Sequence, residues 1–136
     1  MGANTQRAVA IERSSKSMYD DNNVFARILR GEIPCKRVHE DEHTLAFEDI
    51  SPQAPVHTVV IPKGKYVSLV DFTQKASDAE MAALMRALQK TAAAKGVDAS
   101  GYRVLSNCGA DAHQSVPHLH FHILAGRSLG LGLIAK

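Results

Sequence analysis

The chain has 136 residues, 45% of them hydrophobic, which is enough to bury one core without a stabilising metal or disulfide. Its net charge is +2, and Arg7, Arg13 and Lys16 against Glu12 supply all of that excess within the first 19 residues, so the remainder is near neutral. A near-neutral module with three Tyr, four Phe and no clustered basic face argues against a polynucleotide partner and leaves room for a small anionic ligand.

Residues 1–18 are polar, lack helical or strand periodicity and include the Ser-Ser-Lys-Ser run of a flexible leader. The start Met-Gly-Ala-Asn-Thr-Gln lacks the Ser or Thr of a myristoylation signal, and no apolar run reaches the roughly 18 residues of a membrane span. Cys35 and Cys108 are far apart without a Cys-x-x-Cys spacing, which points to free thiols in a reducing compartment and hence to the cytoplasm.

The folded module begins at residue 19. Asn23 can cap a short helix whose apolar stripe is Val24, Phe25, Ile28 and Leu29, closed by Gly31 and Pro34. Cys35 to Glu40 and Thr44 to Glu48 read as a hairpin around an acidic turn, and β-branched Val56 to Ile61 as a strand bearing His57. Ser77 and Glu80 form a capping box for a long helix with Met81, Leu84, Met85, Leu88 and Ala92 at core spacing, ending at Gly96. Tyr102 to Ser106 returns as a strand, residues 107–116 form a polar loop, and the Gly-rich tail, 128–136, shows no element. Two strands, a third, a helix and two more strands predict an α+β fold, an antiparallel sheet of about five strands with its helices on one face.

The stretch His118-Leu119-His120-Phe121-His122-Ile123-Leu124 alternates imidazoles with large apolar residues. On a strand, period two places all three imidazoles on one face and Leu119, Phe121 and Ile123 on the other. Imidazole titrates near pH 7 and can act as nucleophile, acid, base or metal ligand, so this row is the candidate active-site floor; a solvated His-rich strand or a metal cluster would show the same pattern.

That stretch resembles the His-φ-His-φ-His-φ-φ signature of the histidine-triad (HIT) nucleotide hydrolases and transferases. The segments Leu45 to His57, Gly101-Tyr102-Arg103 through Asn107, and Gln114-Ser115-Val116 resemble its Hint branch, and the similarity runs from about Asn23 to Arg127. The resemblance implies a HIT domain over residues 19–127, with one long and one short helix on a five-stranded antiparallel sheet continued across a homodimer.

It further implies that His120 attacks the α-phosphorus of a purine nucleotide, AMP- or GMP-like, to form a nucleotidyl-histidine. His118, His122 and His57 would orient and polarise it, while Ser115, Asn107 and the backbone around Gln114 and Val116 would meet the phosphate or leaving group. Asp49 would hold the ribose, and Val24, Phe25, Ile28, Phe47 and Ile50 would wall the base cleft.

Several of these residues also have plain structural readings. His57 could be packed among β-branched neighbours, Asp49 could be a turn former, Ser115 a backbone cap, and Phe25 and Ile28 ordinary core. His39, His43 and His113 lie outside the motif and are expected at the surface. Where some relatives carry a zinc-binding Cys-x-x-Cys, this chain has Asn23 and Ala26, and its tail lacks the Trp- and Pro-containing end common in the Hint branch. No metal or cofactor is expected. The implied activity is hydrolysis of purine nucleoside phosphoramidates; the alternatives are a dinucleoside polyphosphate hydrolase and a nucleotide- or zinc-binding module.

Overall fold

The computed structural model describes residues 19–134, so the expected leader lies outside the described residues. Asn23 Oδ1 accepts the Ala26 N–H at 2.9 Å and caps α1 (Val24–Leu29), after which the chain turns through Gly31 at φ +80°. β1 (Arg37–Glu40) and β2 (Thr44–Glu48) form the expected hairpin, two residues shorter at its start than the sequence suggests. The Asp41 carboxylate receives the backbone N–H groups of His43 and Thr44 and closes the turn. β3 (Val56–Pro62) follows the proline-bearing loop.

α2 (Leu69–Lys75) is a helix the sequence pattern does not announce. Its Leu69 and Val70 face outward and leave no apolar stripe, although Ser68 and Asp71 make a full capping box. α3 (Asp78–Ala94) is the expected long helix, opened by Ser77 and Glu80. β4 (Tyr102–Leu105) and β5 (Phe121–Ala125) complete an antiparallel sheet of order β1-β2-β3-β5-β4. Gly126 ends β5 at φ +94°, where a Cβ would lie 2.8 Å from the Pro55 Cβ, so the turn off the sheet demands glycine.

Two expectations change. Helices cover both faces: α3 sets Leu84, Ala87 and Leu88 against Ala46, Val60, Leu119 and Ile123, while α1 sets Phe25 and Ile28 against Leu45, Phe47, Val59 and Ile61 on the other side. The cause is in the strands, since β2 and β3 are apolar at successive positions and so have two faces to bury.

The three triad histidines also do not share one strand. β5 begins at Phe121, and His118 and His120 lie on the segment before it. The ladder with β3 ends at Val60 opposite Phe121. Beyond that point Pro62 has no N–H to offer and its carbonyl is taken by the His118 ring. Leu119 N–H bonds the Tyr66 carbonyl instead, at 2.7 Å. Among the described residues no helix is long and apolar enough to cross a membrane.

Candidate active site

β5 lies between β3 and β4, so His122 sits in the interior of the sheet rather than along an edge, and His118 and His120 lie on the segment that leads into it. In the β3–β5 register, His122 is opposite Val59 and His57 opposite Leu124, which makes His57 and His122 diagonal neighbours on one face. Their rings sit 5.0 Å apart, and those of His120 and His122 5.2 Å apart. Phe25 from α1 meets His120 edge-on at 4.9 Å and lies 5.6 Å from the Phe47 ring.

The hydrogen bonds define the proton on every ring. His118 is fully buried; its Nε2–H donates to the Pro62 carbonyl at 2.8 Å, and its Nδ1 faces the Tyr19 hydroxyl at 2.8 Å. Burial pushes its pKa down to about 4, so it is neutral at pH 7 and Tyr19 is the donor. His120 Nδ1 donates to the His118 carbonyl at 2.7 Å, and burial lowers its pKa as well, which leaves a bare lone pair on Nε2.

His57 Nδ1 accepts the Gln53 backbone N–H at 2.9 Å, so its proton is on Nε2 and is given to His122 Nδ1 at 2.8 Å. Burial, then repulsion from His120 and His57, pushes the His122 pKa to about 4. Neutral His122 therefore carries its proton on Nε2.

Among the described residues, six of the eight ring nitrogens are thus engaged. The two left over are complementary: a lone pair on His120 Nε2 and an N–H on His122 Nε2. His120 is only 3% exposed, and no group among the described residues bonds its Nε2.

Asp49, His57 and His122 each bring one potential donor atom within 4.8 Å of the others. The proton pattern does not fit a metal ion there, because Gln53 occupies His57 Nδ1 and the remaining nitrogen carries hydrogen. Asp49 does two things: one carboxylate oxygen accepts the Ser51 N–H at 2.7 Å in a turn, and the other lies 3.4 Å from His57 Nε2.

The sequence model of the HIT domain matches residues 30–129, a span that holds the whole sheet and all four site histidines. This chain belongs to the HIT domain family. A HIT-like protein of Azospirillum brasilense is 63% identical over 112 residues, covering 82% of this chain and 92% of that protein. Among solved structures, a HIT family hydrolase from Clostridium thermocellum superposes with a TM-score of 0.75 at 34% identity, over 85% of this chain and 99% of that one. A histidine triad nucleotide-binding protein from Candida albicans gives 0.72 at 31% identity, over 85% of each chain.

Of the residues expected in this HIT site, the fold brings together His57, His118, His120, His122, Asp49, Phe25 and Phe47. Ile28 lies in the same apolar cluster and Val116 packs on it. Val24 is 39% exposed and Ile50 97%, and neither joins the apolar cluster of Phe25, Ile28 and Phe47. Gln114 ties the loop before the triad: its amide donates to the Val67 and Val116 carbonyls and accepts the Gly109 N–H. Ser115 is exposed and Asn107 half-buried, and their side chains make no hydrogen bond among the described residues. His113 is exposed as expected, whereas His39 and His43 are half-buried beside Asp41 and Glu42.

A cleft of about 900 Å³ lies beside the site, lined by Pro34, Cys35, Lys36, Arg37, Glu48, Asp49, Ile50 and Lys95. It shares Asp49 with the histidine cluster but does not open on the triad itself. Tyr19, Gln53, Pro62 and Ser106, whose hydroxyl donates to the His120 carbonyl at 2.7 Å, are site residues that sequence reasoning missed. Two of the four act through backbone groups, which leave no side-chain signature.

Proposed function

We propose that this chain is a metal-independent hydrolase of purine nucleoside phosphoramidates, of the Hint branch, working through a nucleotidyl-histidine. The observation that carries the reading is the lone pair on neutral His120 Nε2, its ring held through Nδ1 and its Nε2 unbonded among the described residues, beside the N–H on His122. A neutral imidazole is a competent nucleophile near pH 7. In the first step a P–Nε2 bond forms as the P–N bond breaks, and the amine leaves with a proton drawn from solvent. In the second, water attacks the same phosphorus, breaks the P–Nε2 bond and returns a proton to solvent, so nucleotide and amine are the products. The His122 N–H is a fixed donor for the negative charge that grows on the phosphate oxygens.

The nucleoside fits the side of the site that Asp49 shares with the adjoining cleft, with the ribose at Asp49 and the base toward Phe25, Ile28, Phe47, Val24 and Ile50. Ser115, Asn107 and the backbone at Gln114 and Val116 serve the phosphate and leaving group. The Candida relative, described as nucleotide-binding, and the Clostridium relative, described as a hydrolase, support this reading. β4 is an edge strand with exposed Val104, and Met85 is exposed on α3, which fits a second copy continuing the sheet. Two free thiols fit a reducing, cytoplasmic setting.

The test is incubation with adenosine 5′-phosphoramidate labelled at phosphorus, followed by denaturation and mapping of the label. Label on His120, absent in His120→Ala, is the expected result; full turnover by His120→Ala overturns the mechanism. Faster cleavage of a dinucleoside polyphosphate than of the phosphoramidate would move the chain to the other branch, and loss of activity in excess chelator would refute metal independence.

A further inference from the structure

Tyr19 is the most N-terminal residue the structure describes, and its hydroxyl reaches a ring 99 positions away, His118 Nδ1, at 2.8 Å. The two rings pack edge to face with centroids 5.6 Å apart. No other group among the described residues bonds that nitrogen. We infer that Tyr19 is a positioning residue for the triad: its hydroxyl fixes the tautomer and rotation of His118, and through the His118 carbonyl it fixes the nucleophile.

The linkage can be followed atom by atom. The His118 ring is held at both ends, by Tyr19 at Nδ1 and by Pro62 at Nε2. A ring held at both ends fixes its own backbone, and the carbonyl of that backbone receives His120 Nδ1–H, which keeps the His120 lone pair on Nε2. Without the Tyr19 hydroxyl, His118 Nδ1 is a buried acceptor with no donor. The ring can then turn over or move its proton to Nδ1, and either change breaks the Pro62 bond.

Lys65 Nζ is 6.0 Å from the Tyr19 ring centroid and pairs with Asp21 at 2.8 Å. Lys65 lies on the connection between β3 and α2, between Pro62, which ends β3 and binds His118, and Tyr66, whose carbonyl accepts the Leu119 N–H. The Lys65–Asp21 pair is exposed at both side chains and adds little to the Tyr19–His118 bond. Burial raises the Tyr19 pKa, so the phenol stays a donor through the neutral range.

This inference rests on the proposed role of His120, and its test separates the two. In full-length protein labelled with 15N-histidine, long-range proton–nitrogen spectra report which nitrogen of each ring is protonated. In Tyr19→Phe the His118 Nδ1 resonance should move toward that of an unbonded lone pair, or average with Nε2 if the proton exchanges. With the phosphoramidate as substrate, kcat should fall on the order of tenfold with KM changed less than about twofold, since the effect passes through the orientation of His120. Lys65→Met breaks the Asp21 pair but keeps the hydroxyl, and should leave the His118 spectrum and kcat near wild type.

Unchanged His118 resonances in Tyr19→Phe, a raised KM at constant kcat, or equal losses in both variants would each overturn the assignment. If the wild-type chain fails to cleave the substrate, the functional reading falls, and the spectra alone decide whether Tyr19 holds the ring.

Discussion

On the α3 side of the sheet, Ala46, Val60, Leu119 and Ile123 meet apolar side chains, and burial by itself stabilises them. On the α1 side, His118 and His120 are as deeply buried, at 0% and 3% exposed, yet each brings two ring nitrogens that cost free energy if left unpaired. The first face is satisfied by shape. The second is satisfied by partners, nearly all of them backbone groups or other histidines, and where a partner is missing the molecule has a reactive atom. Burial does not distinguish a core from a site here, whereas the hydrogen bonds do.

The sharpest way to test that contrast is to remove the one lone pair left over. His120→Ala should reduce turnover per folded molecule by about 10³-fold or more, with a lowered thermal midpoint as well, because the change leaves a cavity beside Phe25 and the His118 carbonyl without its donor. Parallel steady-state kinetics and calorimetry check this, and a large fall in the midpoint with modest loss of turnover would erase the distinction between the faces.

The opposite pattern should follow on the α3 side. Ile123→Ala should cost about 3 kcal/mol of stability, read by denaturant unfolding, with kcat per folded molecule little changed. Acid should act on the histidine face selectively. His118 and His122 have folded pKa values of about 4, below the 6.5 of an unperturbed imidazole, so the unfolded chain binds protons first as pH falls. Stability is therefore full above about pH 6.5 and declines toward pH 4, by about 3 kcal/mol from His118 alone. Unfolding curves across that range check the slope; a flat profile would mean that these rings are not held neutral.

The smallest expected effect is at Gln114→Ala, which removes the side-chain bonds that tie the loop before the triad. A loss of about 1–2 kcal/mol and faster amide exchange at Gly109 are expected, with chemistry at His120 only mildly slowed.

Much of this contrast could be read in the sequence. Asn23, Ser77, Glu80, Gly31 and Gly96 mark helix ends by local chemistry, and the structure uses each of them there. The strands follow from β-branched runs, with ends displaced by a residue or two where a ladder happens to stop. α2 escaped because its side chains leave no apolar stripe, although Ser68 and Asp71 carried a local signal. The two-sided cover of the sheet corresponds to the successive apolar residues Val59, Val60 and Ile61, which leave both faces of β3 to bury.

The histidines stand out by type and spacing. What could not be read is how they are protonated, since that depends on Gln53 N–H and on the carbonyls of Pro62 and His118, groups that every residue possesses and only the fold brings near. Tyr19 was invisible for a related reason: nothing local links it to a residue 99 positions on.

The insertion of β5 between β3 and β4 also bears on the order of assembly. During synthesis β1, β2 and β3 can pair as soon as they emerge, but β4 has no neighbour in the sheet until residues 121–125 arrive and bridge it to β3. Until then β3 presents an open apolar edge, the kind of edge that recruits other chains. β5 is thus the keystone of the sheet and, with the segment that leads into it, the carrier of its chemistry, so a nascent or truncated chain lacking both should be inert and prone to aggregate, and activity should appear only once this strand is in place.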